Sequence, residues 1–326
     1  LPETEKTFMK RLKENGYYTA VVGKQHFAES TIDKGYDYEM IVDGHFPTAP
    51  KEQLGVYLDY LKENGIEPDS LYEKNLISGG TWKGDIKYHI DNFIGDKGKE
   101  WMENRLSDTE NKQPWFFTLS FPGPHHPYDL EGTKYADMYE LNDMEFSEST
   151  YEDLEQKGPQ FRNMGMYSQI YLKDYTKEQF LRTKRSYYAN ITLIDEKVGE
   201  VIDILKKHNA YDDTVIIYSS DHGDFMGDYG LVEKLQCLED SLMRVPLFVK
   251  PPIAGFSGIR VKEPVVNIDI ASTCMELSET PLEAPMSDYS FVPYWDKSKE
   301  LRIRPYIYME AGAIRGVLCN GIKTIH

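Results

Sequence analysis

The residues best suited to chemistry follow short apolar runs, at points where a β-strand would end. The run Val-Ile-Ile-Tyr at 215–218 leads, after two serines, into Asp221, His222, Gly223 and Asp224. A glycine here permits a tight turn that lets the two preceding side chains aim at one place. Because a carboxylate beside an imidazole is a common ligand pair for a divalent cation, we interpret this segment as a metal site rather than a helix N-cap. Asp224 is either a third ligand or a support for the other two.

A lysine and a histidine close the first predicted strand. In Gly23-Lys24-Gln25-His26, Lys24 and His26 stand two apart and would share a face if the strand continued, because side chains alternate along a strand. A cation and an imidazole converging at a strand end suit an anion site. Taken alone, these four residues favour the alternative, a surface lysine beside a capping histidine.

Two more histidines follow the next apolar strand, in Pro124-His125-His126-Pro127. The flanking prolines stiffen the loop. Adjacent residues of an extended chain point to opposite sides, so we expect one of the two histidines to face the site. Imidazole titrates near neutral pH and suits a general acid or an oxyanion donor. A polar turn and a metal site are the alternatives.

Lys234 comes shortly after the aspartate-histidine segment. A lysine that returns toward a metal site would offset negative charge on a substrate, whereas the alternative is a solvated helix lysine. The glycines at 223, 227 and 230 match neither the dinucleotide-binding pattern nor the P-loop, and no G-x-S-x-G elbow occurs. These absences argue against nucleotide binding and against a serine-hydrolase elbow.

The elements that must position these residues alternate between helices and strands. Phe8, Leu12 and the turn at Asn15-Gly16 predict a short first helix, and further helical patterns fall at 51–64, 88–106 and 268–277. One apolar stripe predicts the longest helix, through Tyr187, Ile191, Ile194, Val198, Val201 and Leu205. Strand patterns fall at 17–22, 115–121, 214–219 and 245–249, and the tail predicts one strand at 306–309 and part of a hairpin at 315–322. The alternation predicts a layered α/β fold with a largely parallel sheet. The sequon at Asn190 lies inside the longest helix, so we discount glycosylation there.

Residues 129–160 differ in character, with ten acidic and two basic residues. We interpret them as a solvated insertion or lid rather than core. The predicted domains are a catalytic domain over 1–280, with the acidic insertion taken as 129–176, and the start of a C-terminal subdomain over 281–326.

The composition bounds the class of protein. The chain has 326 residues, 40% of them apolar, which allows a sizeable core. A net charge of −17 argues against nucleic acid as a partner, because phosphate contacts need lysine and arginine. An anionic substrate must therefore be drawn in by a local basic site.

No run approaches the roughly 18 apolar residues of a membrane span. The three cysteines form no C-x-x-C and suit free, mostly buried thiols, so the compartment stays open between periplasmic or secreted and cytoplasmic.

Taken in order, these segments resemble the sulfatase family of the alkaline-phosphatase superfamily. Gly23-Lys24-Gln25-His26 matches the family's G-K-x-H signature, and Pro124-His125-His126-Pro127 matches its P-H-x-P segment. Its metal-and-lysine segment is matched by Ser220-Asp221-His222-Gly223-Asp224 with Lys234. Arg244-Val245-Pro246 matches its R-V-P-L segment, and Asp269-Ile270-Ala271 matches the start of its D-x-x-P-T helix. Ser272 stands where proline is usual. The resemblance covers residues 1 to about 280 and implies an alkaline-phosphatase-like layered fold, with a mostly parallel mixed sheet between helices.

The resemblance also implies roles. Lys24 and Lys234 would contact the sulfate oxygens. His26 would hold the nucleophile's hydroxyl group. His125, the first histidine after the proline, would protonate the leaving alcohol.

Asp221 and His222 would be two ligands of one divalent cation. The resemblance places Ca²⁺ first, with Mg²⁺ or Mn²⁺ as alternatives. Many members carry asparagine where His222 stands, and imidazole favours Mg²⁺, Mn²⁺ or Zn²⁺ because Ca²⁺ prefers oxygen ligands.

The family's nucleophile is missing from the sequence. It is a cysteine or serine in C/S-x-P/A-x-R, matured to formylglycine, and two aspartates upstream complete the metal shell. None of Cys237, Cys274 and Cys319 stands in that pattern. In the family these residues precede the G-K-x-H segment, so we expect a chain that lacks its N-terminal segment, is cut short in its C-terminal subdomain, and is inactive by itself.

The leading hypothesis is a sulfuric ester hydrolase that acts on a small-molecule or carbohydrate sulfate. A phosphonate or phosphate ester hydrolase on the same scaffold is the alternative, because both oxyanions are tetrahedral. A non-catalytic fragment or binding module is the alternative from another class. Neither nucleic acid nor a membrane is expected as a partner, and the oligomeric state is not predicted.

Overall fold

A computed structural model describes residues 6–26, 33–147, 149–156, 175–256, 258–282 and 286–326. The helices are α1 Phe8–Glu14, α2 Lys51–Glu63, α3 Ile90–Ser107, α4 Tyr151–Gln156, α5 Lys177–Lys207, α6 Asp240–Met243 and α7 Asp269–Leu277. The strands are β1 Tyr18–Gly23, β2 Tyr38–Ile41, β3 Tyr72–Leu76, β4 Gly79–Trp82, β5 Trp115–Ser120, β6 Tyr128–Glu131, β7 Ile216–Ser219, β8 Leu247–Lys250, β9 Ile307–Ala311, β10 Ile314–Cys319 and β11 Ile322–Ile325.

The central sheet has the order β2-β1-β5, and both of its strand pairs are parallel. Residues 20–22 of β1 are 0% exposed, as expected of a middle strand covered on both faces. Helix α3 packs on β1 and β5 and also against α5. Gly23 pairs with Ser120 on one side and with Ile41 on the other. The three strands therefore end side by side, and the loops that follow them meet.

The other sheets mix both directions. Strand β4 pairs parallel with β6 and antiparallel with β3. Strands β7 and β8 are antiparallel, and β9, β10 and β11 form an antiparallel meander. Helices alternate with this mixed set of strands around a parallel centre, as the sequence predicts.

The longest helix is confirmed, but its buried face differs from the predicted stripe. A capping box at Thr176 and Gln179 starts α5 and satisfies backbone donors of its first turn. Ile191, predicted to be buried, is 39% exposed, whereas Asn190 is 5% exposed. The side chain of Asn190 is buried within α5, and the discount of its sequon stays a prediction.

The interpretation of residues 129–160 as solvated is wrong at the start of the segment. Asp129 and Glu131 lie in β6 and are each 5% exposed. Their charges have partners: Asp129 lies 3.0 Å from His89, and Glu131 accepts hydrogen bonds from Arg182 and Arg185 of α5. Such pairing is what permits carboxylates in an interior. Residue 148 and residues 157–174 of the predicted insertion lie outside the described part of the chain.

The three cysteines differ in exposure. Cys237 is buried, Cys274 is half-buried and Cys319 is exposed, so the prediction of mostly buried thiols fails for Cys319. None of the described helices combines the length and apolarity that a membrane crossing requires.

Candidate active site

Lys24 is carried to the site by the end of β1. Gly23 has φ +103°, and a Cβ there would lie 1.9 Å from the carbonyl oxygen of Ser120, so this close strand contact requires glycine. The Lys24 N–H donates to the same oxygen at 2.8 Å. Its Nζ then lies 3.0 Å from Nε2 of His45. Burial lowers the pKa of Lys24, and nearby Lys234 lowers it further against the opposing effect of Asp221.

The loop after β5, residues 121–127, brings both of its histidines into the site. The rings of His125 and His126 lie 4.2 Å apart, so the expectation that one of them faces away is wrong. The reason is that the segment forms a turn rather than extended chain. Nδ1 of His125 donates to the carbonyl oxygen of His126 at 2.8 Å. Nε2 of His125 is therefore the nitrogen left to meet a substrate.

His45 is a site residue that the sequence interpretation missed. It follows β2, and its ring stacks on that of His125 with centroids 4.0 Å apart and planes inclined by 20°. Strand β2 has four residues, too few for a clear strand pattern. The signal that was available is a histidine directly after the apolar run Met40-Ile41-Val42 and the pair Asp43-Gly44.

The segment after β7 brings Asp221 and His222 to the same cluster. Nδ1 of His222 donates to the Gly223 carbonyl at 2.9 Å, and its Nε2 accepts from Lys234 Nζ at 2.7 Å. Oδ2 of Asp221 lies 3.7 Å from that Nε2. The His222 ring is 5.7 Å from that of His125. Four predicted site residues from three segments thus converge, with Lys24 beside them: His125, Asp221, His222 and Lys234.

Asp224 turns toward Tyr128 rather than toward the proposed metal ligands. The Tyr128 hydroxyl donates to Oδ2 of Asp224 at 3.2 Å, and Oδ1 of Asp224 is buried without a hydrogen-bond partner. Burial raises the pKa of Asp224 to about 7. On the same side, Glu233 lies 3.7 Å from Nδ1 of His126. In the described ranges, no three histidine, cysteine or acidic side chains are grouped to hold a metal.

His26 is not drawn into the cluster. Strand β1 ends at Gly23 and His26 has φ +52°, so the alternation that would align it with Lys24 has stopped. Its backbone N–H donates to Asp43, and its exposed imidazole makes no hydrogen bond or ion pair with the described residues.

The electrostatics of the cluster suit an anion. Burial lowers the pKa of His45 to about 2 and that of His125 to about 3, and the nearby lysines lower both further. These imidazoles are therefore neutral near pH 7. The ammonium groups of Lys24 and Lys234 supply local positive charge in a protein whose net charge is −17.

Loops that carry lysines and histidines near the ends of parallel strands define an α/β protein whose polar cluster lies where such sheets place their ligands. Residues 1–280 match the sulfatase family, and the chain belongs to that family. It is 32% identical over 295 residues to a choline-sulfatase of Rhizobium meliloti (strain 1021), which covers 88% of this chain and 56% of that protein.

Two solved structures share the fold. The phosphonate monoester hydrolase of Agrobacterium radiobacter superposes with a TM-score of 0.77 at 18% identity, covering 97% of this chain and 70% of that one. A protein solved with its substrate D-glucosamine-2-N,6-O-disulfate gives 0.67 at 17% identity, covering 100% and 74%. Both support the alkaline-phosphatase-like architecture. The chain spans about half the length of the curated relatives it matches, 56%, 58% and 52% for three of them.

Proposed function

We propose that this protein is a sulfuric ester hydrolase. The observation that carries the proposal is the convergence of two lysines and His125, from three separate segments, on the ends of the parallel strands. This is a preorganised set of donors for a tetrahedral oxyanion and its leaving group. Membership of the sulfatase family supports the same reaction.

Each residue of the cluster has a proposed task. Lys24 and Lys234 bind the sulfate oxygens, and each ammonium donates to a neutral imidazole until the substrate replaces that acceptor. In the free site Nε2 of His125 carries no proton, because Nδ1 donates to the His126 carbonyl and the imidazole is neutral. The negative charge of a bound sulfate ester opposes that of the nearby lysines and favours uptake of a proton at Nε2. This proton then passes to the leaving oxygen as the sulfur–oxygen bond breaks. The family resemblance gives His26 the task of holding the hydroxyl group of the nucleophile, which requires its exposed imidazole to turn toward the cluster.

Sulfatases generally use a divalent metal and a formylglycine nucleophile. Asp221 and His222 suit part of a metal shell, because Nε2 of His222 carries a lone pair while Nδ1 is engaged with Gly223. We propose Ca²⁺, Mg²⁺ or Mn²⁺ as the ion, which would neutralise charge on the substrate. Since Lys234 contacts the same Nε2 at 2.7 Å, metal binding requires Lys234 to turn toward the substrate.

The substrate class is a small-molecule or carbohydrate sulfate. The similarity to a choline-sulfatase supports the first, and the relation to an N-acetylglucosamine-6-O-sulfatase of Bacteroides thetaiotaomicron, 21% identical, supports the second. We also propose that residues 1–280 form the catalytic part. The separate antiparallel sheet β9-β10-β11 supports a distinct subdomain after it.

Two alternatives each have an observation in their favour. A phosphonate ester hydrolase is favoured by the structural likeness to phosphonate monoester hydrolases, with TM-scores of 0.77. A non-catalytic binding module is favoured by the absence of C/S-x-P/A-x-R from the 326 residues.

The deciding experiment compares two proteins, the 326-residue chain and the product of the complete reading frame, each with and without added divalent metal. The substrates are para-nitrophenyl sulfate, choline sulfate, glucosamine 6-sulfate and an aryl phosphonate monoester. Metal-dependent turnover of a sulfate ester that is lost in Lys234→Ala establishes the proposal. Preferential phosphonate turnover replaces it with the first alternative. Absence of turnover of all four substrates, with retained sulfate binding, leaves the binding module.

A further inference from the structure

A buried polar network lies beneath the loop 121–127 and has no part in the proposed chemistry. Its side chains are His89 and Asp91 at the start of α3, Asp129 in β6 and Asn190 in α5. They are 1%, 2%, 5% and 5% exposed, respectively. Ionisable groups this deeply buried cost stability unless paired, so the question is what they hold in place.

Asp91 holds the beginning of the loop. Its Oδ1 accepts the N–H of Gly123 at 3.1 Å, and its Oδ2 accepts Nδ2 of Asn190 at 2.9 Å. A Cβ on Gly123 would lie 1.8 Å from Oδ1 of Asn190 and 2.5 Å from Oδ2 of Asp91. The backbone of the loop therefore presses directly on the carboxylate and the amide, and glycine is what permits the approach.

His89 holds the other end. Its Nε2 lies 3.0 Å from Oδ1 of Asp129, the second residue after the loop, and its Nδ1 accepts the Asp91 N–H at 3.3 Å. The first turn of α3 thus fastens both ends of the segment that carries His125. A small polar crevice lies between this network and the rings of His45 and His125.

We propose that Asp91 is a positioning residue for His125, acting through the N–H of Gly123. The proposal rests on the proposed function, in which His125 protonates the leaving alcohol. Without the carboxylate the loop loses its fixed start, and the imidazole loses its aim at the leaving oxygen. A misplaced general acid harms esters of weakly acidic alcohols most, because those leaving groups need the proton, whereas para-nitrophenolate departs without it.

The test compares kcat/KM for para-nitrophenyl sulfate and for an alkyl sulfate, using the complete protein with its metal. Asp91→Ala is expected to lower the alkyl sulfate value about tenfold more than the para-nitrophenyl value, within the range a small misplacement costs. Gly123→Ala, which keeps the carboxylate but displaces the loop, should shift the ratio in the same direction. Asp91→Asn keeps an acceptor for the Gly123 N–H, so its ratio of the two kcat/KM values should lie between that of Asp91→Ala and that of the parent.

Asp269→Asn is the matched control, because Asp269 is also 2% exposed and hydrogen-bonded but lies in α7. It should lower stability without changing the substrate ratio. Equal losses on both substrates in Asp91→Ala and Gly123→Ala would show a merely structural role and overturn the proposal. Absence of sulfate ester turnover in the parent protein would instead reject the proposed function. In that case, proton–nitrogen spectra of the His125 and His126 rings decide: they should change in Asp91→Ala and Gly123→Ala, and unchanged signals would reject the positioning role.

Discussion

His45 and His125 stack face to face, 4.0 Å apart, although 80 positions of chain separate them. His45 follows β2 and His125 follows β5, and β1 lies between these strands in the sheet. The stacked rings therefore close over the end of β1, where Lys24 emerges. Lys24 donates to His45 at 3.0 Å, so one imidazole orients both the proposed anion-binding lysine and the proposed acid.

Replacing His45 should separate these two tasks. His45→Ala removes the stacked ring and the acceptor, and we expect kcat/KM for sulfate esters to fall about 10- to 100-fold, the cost of misplacing reacting groups. His45→Phe keeps the ring and loses the acceptor, so it should mainly raise KM through Lys24. Steady-state kinetics measure both effects. The control is His208→Ala, because His208 caps the C-terminal end of α5 and pairs with Glu103 of α3. This variant should change neither kcat/KM nor KM. Equal kcat/KM and KM in His45→Phe and the parent would show that His45 does not orient Lys24 for substrate binding.

Lys234 should contribute to anion binding by its charge. In Lys234→Gln, we expect the affinity for inorganic sulfate at low ionic strength to fall about 10- to 100-fold, the range for a lost hydrogen bond to a charged group. Titration calorimetry measures this affinity without any need for turnover. Lys206→Gln removes one positive charge from an exposed position on α5 and should leave sulfate binding unchanged. Equal losses in the two variants would point to net charge rather than to the site.

Glu131 should be the most sensitive charged position of β6. Its side chain is 6% exposed and accepts hydrogen bonds from Arg182 and Arg185, so Glu131→Gln leaves two arginines facing a neutral group. We expect a loss of about 3 kcal/mol in the free energy of unfolding, typical of breaking a buried pair. Denaturant unfolding measures it. Glu14→Gln, which breaks the exposed pair with Lys6, should unfold like the parent. If the loss of unfolding free energy were no larger than that of Glu14→Gln, the guanidinium groups of Arg182 and Arg185 would be solvated rather than dependent on Glu131.

Asp37 should make stability depend on pH in acid. Burial by itself would raise its pKa, but the hydrogen bonds from Lys13 and from the Thr19 N–H lower the pKa below its ordinary value. A depressed carboxylate pKa stabilises the fold above the unfolded-state value of about 4, and this contribution disappears as pH falls through the folded-state pKa.

The variant Asp37→Asn tests this sign. It should be less stable than the parent at neutral pH, and the difference should shrink as pH falls below about 4. Urea unfolding at several pH values gives the comparison. Asp59→Asn, at an exposed position of α2, should follow the parent throughout. A stability difference that grows toward low pH would contradict the assignment.

The strand ends and the residues that follow them could be predicted from the sequence alone. Lys24, His125 and His222 each come within a few residues of the end of an apolar run, and such runs predict strands whatever their partners are. Since β1 and β5 are parallel neighbours, the loops that carry Lys24 and His125 had to meet, whereas β7, which precedes His222, pairs antiparallel with β8 in a separate sheet. Chain-local polarity was therefore sufficient to find these residues, and their order was sufficient to indicate the family.

Which side chains touch became known from the folded chain alone. His45 joined the site because β2 pairs with β1 in a register that ends both strands together, and a four-residue strand has too little pattern to show this. Asp129 looked solvated, yet it is buried because His89, 40 positions away, balances its charge. Gly123 meets Asp91 across 32 positions. Such contacts depend on strand register and helix packing, which bring together residues whose local sequence carries no trace of the partner.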